Sequence, residues 1–246
     1  MAEWNDPRTT GVTTATVGVP RAARDAGLRS YMLSVYNYMA SGVLLTGIIA
    51  LLFAPYAGQA LLSASGRGMS GLGWIITLSP LAIVFAMSFG MARMRTSTLQ
   101  ILFWAFAGLM GLSMSTLFLA YTGASIAQTF FATAAAYMGL SLYGYTTKRD
   151  LSGFGTFLIM GVVGILVAML VNLFLQSSAL ALGISAIGVL LFAGLTAYDT
   201  QRIKSLYFQV AGTEMAGKTV VMGALQLYLD FINMFQFLLY FTGNRR

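Results

Sequence analysis

The sequence predicts an all-α membrane protein of seven transmembrane helices. Three observations lead there. The 246 residues are 58% hydrophobic and 9% charged, whereas an ordinary soluble domain is about 25% charged. The apolar residues gather into seven runs, each close to the length of about 20 residues that a helix needs to cross a hydrocarbon core. The connections between runs are short, so one bundle uses nearly the whole chain.

The elements follow in order. Residues 1–30 carry Arg8, Arg21, Arg24 and Arg29, a Thr-rich stretch at 9–16 and Pro20, and lack the short apolar core of a signal peptide. They are expected to form a mobile cytoplasmic arm ahead of a single transmembrane domain, 31–246. The first span is placed at 34–54 and is followed by the longest outer loop, 55–71. The second span, 72–91, contains Pro80, which removes a backbone hydrogen bond and either kinks the helix as a gate or is tolerated geometry. The third, 99–121, sets Ala107, Gly111 and Ser115 four residues apart, and the fifth, 154–176, has Gly164 and Ala168. Small residues at that spacing let helix backbones approach closely. The fourth, sixth and seventh spans are placed at 125–145, 179–200 and 221–242.

Charge sets the orientation. The N-terminal arm, Arg93 and Arg95, Lys148 and Arg149, and Arg202, Lys204 and Lys218 fall on one side and make up 11 of the 14 basic residues. The positive-inside rule makes that side, and the N-terminus, cytoplasmic. Seven spans then leave the C-terminal tail outside, together with Arg67, Arg245 and Arg246; six spans with a re-entrant last segment is the alternative. The net charge of +7 lies in small clusters beside helix ends, which suits anionic lipid headgroups rather than nucleic acid. Without Cys or His the chain has no disulfide, no thiolate or imidazole metal site and no Ser-His or Cys-His nucleophile. Any chemistry rests on oxygen ligands or carboxylate protons.

Of seven acidic residues, Asp199 and Asp230 sit at or inside membrane-length apolar runs. An ionised Asp at mid-membrane costs about 2.5–3.5 kcal/mol on insertion scales, so such residues face a polar cavity, an ion or a proton path. Asp199 closes the sixth run in GLTAYDTQRIKSLY; an acid there opposes the helix dipole. It has Arg202 three residues on, and an intrahelical pair at that spacing is the plain alternative. Asp230, in VMGALQLYLDFINMFQFLLY, lies nine residues past the cytoplasmic start of the seventh run, about 14 Å deep at the helical rise. Gln226 and Asn233 share its stripe; a protonated Asp bonded to a neighbouring helix is the structural alternative.

If the two helices are neighbours and the sixth continues past residue 200, both carboxylates line one cavity. They then share a proton and form a pH switch. Ionised, they attract a hard cation; Ca²⁺ takes six to eight oxygens, with further ligands from Asn233, Gln226, Thr196, Thr200, carbonyls and water. Arg93 and Arg95 either close the site by pairing with Asp199 or serve as positive-inside anchors, and Arg202 is a further candidate for closing it.

GLTAYDTQRIKSLY (194–207), LQLYLDFINMF (225–235) and, more weakly, YGYTTKRDLSGFG (143–155) resemble the Bax inhibitor-1 family in its bacterial branch. The resemblance spans roughly residues 30–246. It implies a bacterial inner-membrane protein in which the last helix is surrounded by the others, and a pH-sensitive Ca²⁺ leak whose sensor is the pair matching Asp199 and Asp230. Basic residues in the Arg93/Arg95 region would help close it, and no resident cofactor is implied. Some bacterial members carry an acid within the second span, but TLSPLAIVFAMSFG (77–90) has none. Some relatives are thought to restrain a membrane-anchored AAA protease through their arm and bundle, which makes an interaction protein the second expectation. An enzyme is not expected: the two-aspartate membrane proteases carry Gly-x-Gly-Asp, whereas Leu227-Tyr228-Leu229 precedes Asp230.

Overall fold

The computed structural model describes residues 21–63 and 68–245. Its helices are α1 (Arg21–Leu61), α2 (Gly71–Gly90), α3 (Thr96–Met114), the single turn α4 (Leu117–Ala120), α5 (Gly123–Thr146), α6 (Ser152–Leu175), α7 (Ser178–Val210) and α8 (Met215–Thr242). With α3 and α4 counted as one span, seven helical segments run the length of the bundle. Six of these are long and apolar enough to cross a membrane by composition alone. The seventh, α5, carries Ser125, Thr129, Thr133, Tyr137 and Ser141 at four-residue spacing. All five are buried, so its hydroxyl-bearing face points into the protein while its apolar face meets lipid.

Helix α8 is the axis. It packs against α7, α1, α5 and α3, and its Leu227, Tyr228, Met234 and Leu239 are fully enclosed. Phe103 and Phe106 of α3 meet the Tyr228 ring edge-on, and Phe130 and Tyr137 of α5 do the same to Phe231. Tyr228 also anchors α1. Thr46 Oγ1 donates to Ala107 O at 2.8 Å, which leaves the Tyr228 hydroxyl to donate to Thr46 at 2.6 Å. By contrast α6 packs on α7 and leaves Phe157, Met160, Val163, Leu166 and Leu170 exposed, as a lipid-facing helix should.

Several boundaries differ from expectation for physical reasons. The expected arm falls outside the described residues up to position 20, but residues 21–30 (RAARDAGLRS) are helical. Ala, Leu and Arg favour helix, and α1 there packs on α7, with Tyr31 and Tyr207 rings 5.4 Å apart and Gly27 against the Tyr207 hydroxyl. At its other end α1 runs through Pro55 to Leu61 instead of stopping at 54, so much of the expected loop is helix. Helix α7 continues to Val210. Helix α8 is continuous and emerges opposite the basic loops, where Asn244 N donates to Ser125 Oγ and Tyr121 bridges Arg245. A re-entrant last segment is therefore not what the chain forms. The small-residue stripe of α3 is buried as expected, with Gly111 against Thr46 O and Ile49, but Gly164 of α6 faces open space. The α6–α7 contact uses Gly161 instead, which meets Leu191.

The basic loops gather at one end. Lys204 Nζ donates to Tyr145 O at 2.7 Å, Gln201 Nε2 donates to Arg149 O at 2.8 Å, and Lys218 Nζ reaches Ala92 O at 3.3 Å. These contacts tie the ends of α7 and α8 to the α5–α6 and α2–α3 connections.

Candidate functional site: a buried carboxyl pair

Helices α7 and α8 are joined by a short turn and pack antiparallel along their length. Because α7 continues well past residue 200, Asp199 lies inside the bundle, level with Asp230 of α8. The two residues are 3% and 4% exposed. Their carboxyl groups are within hydrogen-bonding reach of each other, and the Gln226 side chain reaches Asp199 from one turn along α8. Asp199 Oδ1 and Asp230 Oδ2 are buried without a donor among the described residues. Two ionised carboxylates cannot bond to each other, so this contact closes only when one of them carries a proton.

Around the pair, hydroxyls stitch the helices together. Tyr137 of α5 lies close enough to act electrostatically on both carboxyls, and its hydroxyl donates to Leu227 O at 3.3 Å. Tyr36 of α1, Ser141 of α5 and Thr200 of α7 form a chain with links of 2.6 and 3.0 Å. Tyr137 and Ser141 were not among the residues expected from the sequence. The signal was the four-residue hydroxyl repeat of the fourth span, which marks a helix face turned toward partners.

The profile for the family described as "Inhibitor of apoptosis-promoting Bax1" matches residues 28–246. An uncharacterized protein of Rickettsia prowazekii is 49% identical over 222 residues, covering 90% of this chain and 92% of that protein. The inner membrane protein YbhL of Escherichia coli K12 is 45% identical over 223 residues, covering 90% of this chain and 94% of its own. A Caulobacter vibrioides protein is 44% identical over 228 residues, covering 90% and 91%. The chain belongs to the Bax inhibitor-1 family. Its membrane-spanning helices and its similarity to an inner membrane protein make it an integral membrane protein of that family.

In this Bax inhibitor-1 protein the other expected site residues sit apart from the pair. Asn233 donates to Leu229 O at 2.8 Å and lines a cavity of about 430 Å³ between α6, α7 and α8. Thr196 donates to Phe192 O at 2.7 Å, one turn back on its own helix, and Thr200 is engaged with Ser141. Arg202 exerts a field on Asp199 but is exposed and makes no ion pair among the described residues. Asp199 points at α8 while Arg202 points away, so the intrahelical pair does not form. Arg93 and Arg95 are likewise exposed at the basic end and unpaired among the described residues. No cluster of three or more acidic ligands occurs among the described residues. Two carboxyls and one amide supply fewer oxygens than the six to eight that Ca²⁺ takes. These side chains alone therefore do not complete a Ca²⁺ shell.

Proposed function

We propose that this protein is a pH-sensitive, calcium-permeable leak whose gate is the proton shared by Asp199 and Asp230. The observation that carries this reading is the contact of two buried carboxyls between the bundle's central helix and its antiparallel neighbour. Losing the proton places two like charges in a low-dielectric site, and the helices must then part, hydrate the site or admit a cation.

The surroundings support a route. The 430 Å³ cavity has a mostly apolar wall into which Asn172, Ser185, Asn233, Gln236 and Tyr240 bring polar groups, and its Asn233 lies one turn beyond Asp230. On the other side of the pair Gln226 leads toward the basic end. In this reading the closed contact of Asp199 and Asp230, between Gln226 and Asn233 on α8, is the barrier. Ca²⁺ and the proton compete for the same oxygens, and cation occupancy should therefore rise with pH. In this reading the protein has no catalytic role, and its N-terminus is cytoplasmic by the placement of the basic loops.

The test is Ca²⁺ entry into liposomes holding the purified protein, compared at about pH 6 and about pH 8. Entry above that of protein-free liposomes, changing with pH, supports the leak. No entry at either pH overturns it.

A further inference from the structure

We infer that the groove between α1 and α5 is a binding site for an anionic phospholipid, with one acyl chain in the groove and the phosphate at Arg29. The groove encloses about 860 Å³. Its flanking helices pack on α8 rather than closely on each other. Its outer lips, Leu33 and Leu44 on α1 and Met138 and Leu142 on α5, are exposed, so it opens sideways toward lipid rather than toward either end.

The wall is almost wholly hydrocarbon. Of the four hydroxyl-bearing residues in the wall, Tyr36, Tyr137 and Ser141 have their hydroxyls bonded to one another, to Thr200 or to Leu227 O, and the fourth, Tyr145, lies at the basic mouth. The three bonded hydroxyls, which lie along the groove's length, offer an occupant little and ask nothing from water. An apolar chain is the partner such a wall favours.

Length and charge select the occupant. The groove runs from Arg29 to Leu44 on α1 and antiparallel from Tyr145 to Phe130 on α5, about 22 Å at the helical rise. That is half of a bilayer about 40–45 Å thick including headgroups, so the groove fits one leaflet from phosphate to chain end. Charge lies at one end only. Arg29 is exposed and without an ion pair among the described residues, although Asp25 stands one turn back. Lys204 sits over the Tyr145 ring at 5.0 Å, and Lys148 and Arg149 follow just beyond α5. This mouth attracts a phosphate without a compensating cation, whereas a zwitterionic headgroup brings its own. The site stands whether or not the protein conducts ions. The chain end would rest against Phe130 and Phe231, and the chain would pass Tyr137, which separates it from the carboxyl pair.

The experiment uses the full chain in lipid nanodiscs doped with phosphatidylglycerol bearing a photoreactive diazirine at the end of one acyl chain. The matching phosphatidylcholine is the control, and adducts are mapped by mass spectrometry. Adducts concentrated at Val43, Phe130 and Phe231 are expected from the anionic probe. Ala134→Phe, which fills the groove from a partly exposed position, should remove them while an unchanged melting temperature shows the bundle intact. Arg29→Gln should cut the anionic preference about fivefold, the effect expected for one basic group at a membrane surface. Labelling no denser here than on the lipid face of α6, or undiminished in Ala134→Phe, would overturn the site. Equal labelling by phosphatidylcholine would overturn the anionic assignment.

Discussion

Asp230 has meaning only beside Asp199, because each carboxyl is the partner that lets the other stay buried. Asp230→Asn places an amide donor where a proton would otherwise be needed, so the contact persists at every pH. This variant should melt close to the wild type. Asp230→Ala leaves the Asp199 carboxyl buried and short of a partner, a loss of about 1–3 kcal/mol. A clearly lower melting temperature for Ala than for Asn in detergent is the expected result, and equal melting would mean that the contact is not made. Tyr228→Phe removes one donor while Thr46 keeps its bond to Ala107 O, so its cost should be about 0.5–1.5 kcal/mol by denaturant unfolding. Single residues were legible in the sequence to different degrees. Asp199, Asp230 and Gln226 stood out because polar groups are rare in apolar runs. Asn233, Thr196 and Thr200 share those runs but satisfy themselves on their own backbones or on α5, and a helical stripe does not say which neighbour it faces.

Element contacts turn on how closely backbones approach. Gly144 of α5 lies against Ala197 O of α7 with no room for a methyl group, whereas a Cβ at Gly164 meets nothing within 4 Å. Gly144→Ala should therefore push α5 from α7 and destabilise by about 1–3 kcal/mol. Gly164→Ala should be neutral or slightly stabilising through helix propensity. Comparable melting of the two variants would contradict the packing described. At the start of α6, Asp150 accepts from Ser152 N at 2.9 Å and from Ser152 Oγ at 2.6 Å, and these bonds hold its carboxyl below the usual Asp range. A lowered folded value means the contribution is complete above the ordinary Asp pKa and fades as pH falls through the folded value. Asp150→Ala should speed amide exchange at Ser152 and Gly153 at neutral pH, and that difference from the wild type should vanish in acid. The seven spans were legible because membrane length fixes helix number. Their ends were not, because α1 and α7 extend beyond the apolar runs by packing on each other, and neither Pro55 nor the arginines of 21–30 prevents it.

For the molecule as a whole, the bundle buries one helix, α8, and sets its single acid against an acid of the adjoining helix. Neither the central position of α8 nor the meeting of the acids follows from composition; the first was implied by family resemblance and the second depended on α7 continuing inward past Asp199. The arrangement makes the two carboxyls one unit, and interacting groups give non-additive variants. The decisive measurement is the pH profile of Ca²⁺ flux for Asp199→Asn, Asp230→Asn and the double variant beside the wild type. The shared-proton account predicts a pH-dependent wild type and three flat profiles, the double variant adding nothing to either single one. A single variant that keeps the wild-type pH dependence would contradict it.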